Sequence, residues 1–518
     1  MILIVAAIAV SSLLAASAGS FSISSANGTY SKSGSVYTIT SGGTFTLSGV
    51  LNGQIVVNAG DSADVILELN GVTVTYGSDS PIKIVSADSV DISAKSGSTN
   101  TINDTRSAKS TDDTSQGEGA IYAKSDLKFK GSGTLVVNAG YNNGIHTTKD
   151  LTIQKLTLTV TARNNAIKGN NSITVTSGTV TAISTHGDGM KTENTDANKK
   201  GVTKGDITIS GGTVTVYAAG DGIQAAHDFW LTSGTDGVAA DVTVYTGSYS
   251  SYTASDASTT SYKGVKVGNE LNITDGNITI HSYDDGLHAD YGTSLDDGTT
   301  GQGTVNISGG TVTMTVYSPE NKTAGGRGGW GGSGGWGGQQ AVIGADGIHA
   351  DYILNISGGT VCIDSAYEGL EANVINISGG ATYVAANDDG VNACKGKATA
   401  QVNITGGYLD VTVSPNGDTD GIDSNGTYKQ TGGIVVTRGP NSQMAAAIDA
   451  DSSVSVTGGT LIILGYGKVS TGSAVKSYSL SLHAAGSQTV KINGTSYTFT
   501  NANSYGRTTV YSDVSVTK

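Results

Sequence analysis

Along most of the chain, apolar residues alternate with Thr, Ser and Asn in short runs, as in Thr213-Val214-Thr215-Val216 and Asn277-Ile278-Thr279-Ile280. A period of two puts the apolar side chains on one face of a β-strand and the polar ones on the other. Two landmarks punctuate the runs. The first is S/T-G-G, seen at Ser210-Gly211-Gly212, Ser308-Gly309-Gly310, Ser357-Gly358-Gly359, Ser378-Gly379-Gly380 and Thr405-Gly406-Gly407. The second is an acidic residue, Gly and an apolar residue, seen at Asp221-Gly222-Ile223, Asp285-Gly286-Leu287, Asp346-Gly347-Ile348, Glu368-Gly369-Leu370, Asp389-Gly390-Val391 and Asp420-Gly421-Ile422. The closest copies of the second lie 21 to 22 residues apart. That is too short for a propeller blade or a two-helix repeat, and it matches one coil of a β-solenoid.

Alternation orients the side chains after each D-G or its N-G, N-A, E-G or K-G equivalent. The first residue is apolar and points inward: Ile145, Ile167, Met190, Ile223, Val265, Leu287, Ile348, Leu370, Val391 and Ile422. The second points outward and turns from basic to acidic down the coils: His146, Lys168, Lys191, Gln224, Lys266, His288, His349, Glu371, Asn392, Asp423. The fourth gives a parallel outward column that includes Asp290, Asp351, Asn373 and Cys394. The expected fold is therefore all-β, a right-handed parallel β-helix over residues 21–467. Insertions are expected at 227–262 and 318–343, and a small C-terminal β cap at 468–518. With coils stacked ~4.8 Å apart, about fifteen of them make a rod roughly 70 Å long.

Composition agrees with growth by repetition rather than by volume. Of 518 residues 75 are Gly, only 5 are Phe and 3 are Trp, and charged residues make up 14%. A net charge of −14 leaves no basic footprint for nucleic acid. Cys362 and Cys394 are too few for a disulfide framework and lack zinc-motif spacing.

The N-terminal segment, residues 1–20, departs from this composition. Residues 1–19 are apolar, yet the first basic residue is Lys32. Three readings stand: a cleaved export signal, a retained pilin-like helix that packs against copies of itself in a filament, or a membrane anchor. At about 1.5 Å per residue the run reaches ~28 Å, marginal for a bilayer.

The phrases G-G-T-F-T-L-S-G from Gly42, I-L-E-L-N-G-V-T-V from Ile66 and G-S-G-T-L-V-V-N-A from Gly131, with the long D-G-I and S-G-G-T series, resemble a bacterial carbohydrate-binding-domain family. The resemblance covers roughly residue 22 to the C-terminus. It implies a secreted parallel β-helix like that of polysaccharide lyases, binding plant polysaccharide of the cellulose or pectin type, holding calcium, and not catalytic.

Clustered carboxylates on adjacent coils are the candidate calcium ligands: Asp285, Asp290, Asp346, Asp351, Glu368, Glu371, Asp389, Asp420 and Asp423. Calcium takes six to eight oxygens at about 2.4 Å, which stacked carboxylates and turn carbonyls can supply. The plainer reading is that Asp-Gly is turn chemistry, with Asp accepting from the backbone and Gly at positive φ. His288 and His349, in D-G-L-H-A-D and D-G-I-H-A-D, read as solvated surface histidines, with zinc binding or acid–base work as the sharper alternative. The two insertions hold the candidate sugar-stacking rings: Trp230, Tyr249 and Tyr252 in the first, which also contains Tyr245 and Tyr262, and Trp330 and Trp336 in the second. N-I-S/T copies such as Asn272, Asn306, Asn355, Asn376 and Asn403 offer outward asparagines to glycosylation. A lyase needs a base, and Lys168, Lys191 or Lys266 are available, but no signature selects one, so no catalytic residue is assigned.

These observations predict an extracellular or cell-surface protein that binds polysaccharide without cleaving it. The alternatives are a self-assembling filament subunit and a polysaccharide lyase.

Overall fold

A computed structural model describes residues 19–110, 117–234, 237–247, 261–317 and 344–518. The described residues form strands joined by turns, with no helix among them. The apolar run expected to be a signal or a helix lies almost wholly outside them.

Strands pair in parallel with the strand three places later. Asp150–Ile153 pairs with Ser172–Val175, which pairs with Asp206–Ile209; Thr157–Ala162 pairs with Thr179–Ser184, which pairs with Thr213–Ala218. The chain thus runs through three strands and returns one layer further on. In two consecutive coils the first two strands fuse, into Ile348–Ile356 and Leu370–Ile377, and they separate again from Val391. Inward side chains stack into continuous apolar columns. Ile145, Ile167, Ile223, Leu287, Ile348, Leu370, Val391 and Ile422 are all 0% exposed and belong to one cluster running from Ile39 to Val475. Each such residue buries on the order of 2–3 kcal/mol of transfer free energy, summed along the stack rather than concentrated in one centre.

The S-G-G turns join the second and third strands of a coil. The second glycine has positive φ, +85° at Gly212 and +72° at Gly310. The D-G turn works differently. Its glycine does not have positive φ; it is required because neighbouring coils approach so closely that a Cβ on Gly222 would lie 2.1 Å from Val244 Cγ1 and 2.6 Å from the Gly264 carbonyl.

The first expected insertion is mostly not one. Phe229–Leu231 and Asp241–Thr246 are ordinary coil strands in register with Ile207–Ile209 and Thr213–Ala218. The rest of it, residues 248–260, lies outside the described residues, as does 318–343. The C-terminal residues contain antiparallel strands, among them Thr508–Ser512 on Thr460–Leu464 and Gly486–Ile492 on Thr495–Asn501. A second apolar cluster, including Val436, Ile462, Leu464, Phe499 and Val510, glues them to the outside of the last coils.

The outward asparagines of the N-I-S/T copies form an amide ladder. Asn306, Asn355, Asn376 and Asn403 each donate Nδ2 to Oδ1 of the asparagine one coil earlier, starting from Asn272, always at 2.9 Å. These amides are committed to one another. Replacing Asn355 by Asp removes the donor to Asn306 and sets carboxylate against carbonyl. The expected cost is about 1–3 kcal/mol, read as a lowered urea midpoint; an unchanged midpoint would show the ladder to be incidental.

Candidate functional site

The register places the outward column in one ladder along the first face of the coils. Tyr122, His146, Lys168, Lys191, Gln224, Lys266, His288, His349, Glu371, Asn392 and Asp423 are successive Cα partners. A ladder of this kind repeats every ~4.8 Å. A cleft of about 250 Å³ opens on it, lined in part by Glu193, Gln224, Lys266, Asp290 and Asp296. Beside it Tyr291 and Tyr352, which follow Asp290 and Asp351, stand edge to face at 5.8 Å, with the Lys397 ammonium 4.1 Å from the Tyr291 ring.

The column is less exposed than alternation alone suggests, because the turn aspartates lean under it. Asp221, Asp285, Asp346 and Asp420 are buried, at 3, 4, 4 and 7% exposure. Each D-G carboxylate accepts from the backbone N–H of the equivalent residue one coil on. Asp188 caps Asp221 at 2.9 Å, Asp285 caps Asp346 at 2.8 Å and Asp389 caps Asp420 at 2.7 Å. Turn chemistry therefore accounts for one oxygen of each of these groups, and the bond runs between coils rather than within the turn. The second oxygen does other work: Asp188 Oδ2 holds Lys191 at 2.8 Å and Asp285 Oδ2 holds Lys263 at 2.7 Å.

The histidines are not solvated. His288 is 9% exposed, with Nδ1 2.8 Å from Asp285 and Nε2 2.8 Å from Asp290. Burial opposes a charge on this ring, but its bonds to Asp285 and Asp290 outweigh burial and raise its pKa. His349, 61 residues away, stacks on it with ring centroids 4.7 Å apart. The intervening segment therefore leaves the two histidines on neighbouring layers. Asn373, expected on the outward column, is fully buried and braces the corner by bonding the Cys394 and Ala398 carbonyls. Cys362 and Cys394 are both free thiols.

Below His349 the ladder reads Glu371, Asn392 and Asp423, with no basic residue. Burial, then the charges of Glu371, Asp346 and Asp389, push Glu368 well above the ordinary carboxylate range. Burial, then Asp420, Asp388 and Asp423, push Asp389 up to about 8. Crowded carboxylates of this kind are relieved by a hard cation, so the oxygen set of Glu368, Asp389, Asp420 and Asp423 fits calcium chemically. Asp285 and Asp290 fit it poorly, since Lys263, Lys266 and His288 already neutralise them.

The candidate bases are all engaged. Lys168 pairs with Glu193 at 2.7 Å, Lys191 with Asp188 at 2.8 Å and Lys266 with Asp290 at 3.3 Å.

Among the candidate sugar-stacking rings, Tyr249, Tyr252, Trp330 and Trp336 lie outside the described residues. Trp230 is not on a loop; it is half-buried on a coil strand, flanked in register by Thr208 and Asn272. Other rings are grouped by the fold alone. Tyr217, Tyr245 and His281 stack at 5.0 Å per step on the third face. Their common position in T-V-T/Y-type strands was the signal available in sequence.

A carbohydrate-binding domain-containing protein of Acetivibrio thermocellus is 40% identical over 126 residues, which is 24% of this chain and 44% of that relative, so the chain matches less than half of the relative's length. A solved structure, described as the polysaccharide lyase-like protein from C. thermocellum in a gadolinium derivative, is 34% identical with a TM-score of 0.40, covering 47% of this chain and 89% of that one. The sequence family described as carbohydrate-binding domain-containing protein matches at residues 33–316 and 292–390, more than half of the chain, and the chain belongs to that family.

Proposed function

We propose that the chain is a right-handed parallel β-helix of the cell surface or extracellular space that binds a polysaccharide along its first face and does not cleave it. The observation that carries this reading is the unbroken polar ladder from Tyr122 to Asp423, with a cleft over Gln224, Lys266 and Asp290 and the Tyr291–Tyr352 pair beside it. A regular ladder of donors and acceptors matches a polymer whose hydroxyl and carboxyl groups also recur regularly, and tyrosine rings supply an apolar surface for sugar faces. Polymers of the cellulose or pectin type have that chemistry. The ion-paired lysines favour binding over proton abstraction, because a base must be free of its proton and its partner. Calcium belongs with Glu368, Asp389, Asp420 and Asp423, whose oxygens are the donors a hard cation takes.

Retention on insoluble cellulose, pectin and an uncharged non-carbohydrate bead tests this reading. Binding to at least one glycan and not to the bead is expected, with the Gln224→Ala, Lys266→Ala double variant held about tenfold more weakly, as loss of two polar contacts predicts. Equal retention on all three materials would overturn specific binding, and absorbance from an unsaturated uronate product would replace the reading by a lyase. A chelator is expected to lower the melting temperature by several degrees, because an ion held only by native carboxylates stabilises the folded chain by mass action.

A further inference from the structure

The two H-A-D copies share a local sequence and sit in opposite electrostatic surroundings. Around His288 the carboxylates Asp285 and Asp290 are balanced by Lys263, 2.7 Å from Asp285, and Lys266, 3.3 Å from Asp290. One layer on, His349 faces three carboxylates. Its Nδ1 lies 3.0 Å from both Asp346 Oδ2 and Glu371 Oε2, and its Nε2 lies 3.1 Å from Asp351 Oδ1. Among the described residues no lysine or arginine forms an ion pair with Asp346, Asp351 or Glu371. A ring N–H points in one in-plane direction, so a single Nδ1–H cannot serve two carboxylates well. The Asp346 and Glu371 carboxylates thus converge on one ring nitrogen, two negative groups side by side on a single donor.

We propose that Asp346, His349 and Glu371 form a binding site for a divalent transition-metal ion of the zinc class, separate from any calcium on the carboxylates below. The three donor atoms lie within 4.8 Å of one another. Four ligands at ~2.0–2.2 Å around a tetrahedral ion stand about 3.3 Å apart, close to the separations of His349 from its two carboxylates. An imidazole donor selects against calcium, which takes oxygen alone, and favours zinc, cobalt or nickel. A dication neutralises Asp346 and Glu371 together. Asp346 is buried and Glu371 is 20% exposed, so the ion is reached from the ladder side, where a water or a sugar oxygen completes its shell.

The test uses the full chain, stripped with chelator, dialysed and given Zn²⁺ or Co²⁺ alone. One ion per chain is expected, with visible Co²⁺ absorption that persists in a ~1000-fold excess of Ca²⁺, given the nitrogen donor. His349→Ala is expected to weaken uptake by about 100-fold or more and Glu371→Gln by at least about tenfold, while His288→Asn leaves it within about threefold. Glu371→Gln keeps the side-chain shape, so it decides the matter if His349→Ala does not fold. Absence of stoichiometric metal in the parent chain, displacement by Ca²⁺, or equal uptake by the parent and Glu371→Gln would overturn the site.

Discussion

Replacing Gly222 by Ala is expected to cost about 3 kcal/mol or more and to lower the yield of folded protein sharply. The added Cβ would lie 2.1 Å from Val244 Cγ1 and 2.6 Å from the Gly264 carbonyl. Neither neighbour can retreat. Gly264 is held by bonds from Ile223 N at 3.0 Å to its carbonyl and from its own N–H to Asp285 O at 2.9 Å. Val244 is fully buried between Val216 and Ile280, in register above and below. Because each layer is held by contacts with its neighbours, the strain at one layer loosens the two beside it. Urea unfolding followed by circular dichroism measures the effect; a midpoint shift equivalent to less than about 0.5 kcal/mol would show that the coils yield more than close packing allows.

The second large effect concerns the C-terminal segment. Arg438 is 0% exposed, donates Nε to Asn501 Oδ1 at 2.7 Å and Nη1 to the Val411 carbonyl at 3.0 Å, pairs with Asp410, and lies 5.1 Å from the Phe499 ring. It ties the last coils to the strands that cover them. Arg438→Ala leaves the half-buried Asp410 without its countercharge and Asn501 without a donor, an expected loss of about 3–5 kcal/mol. Adding Asp410→Asn removes the stranded charge and is expected to restore part of it. Limited proteolysis reads the result locally, since early cleavage beyond residue 468 with intact coils is the expected pattern. Simultaneous cleavage throughout the chain would mean that Arg438 supports the coils themselves.

Much of this architecture could be read from residue order, because each coil repeats the same problem. Apolar residues at period two fix which side chains point inward, and Ile223, Leu287 and Ile348 all lie in the core as alternation requires. Their outward neighbours form the expected ladder, since strands stacked in parallel register must align equivalent residues. The outer apolar residues Val436, Ile462 and Leu464 broke that alternation, and only the strands packed over them explain why.

The chemistry of the ladder depended on contacts that sequence distance hides. An Asp before Gly looks the same whether its carboxylate meets solvent or caps the next coil, and burial under the ladder decided for the cap in Asp285 and Asp346. His288 and His349 have the same neighbours in sequence, so their different surroundings, two lysines on the aspartates of one and Glu371 on the ring of the other, came from the layers stacked on either side. Local pattern determines the direction in which a side chain points, because that follows from backbone geometry within a strand. What it meets there is set by the register of coils separated by 21 to 61 residues, and charge balance, burial and metal-binding capacity all arise from that register.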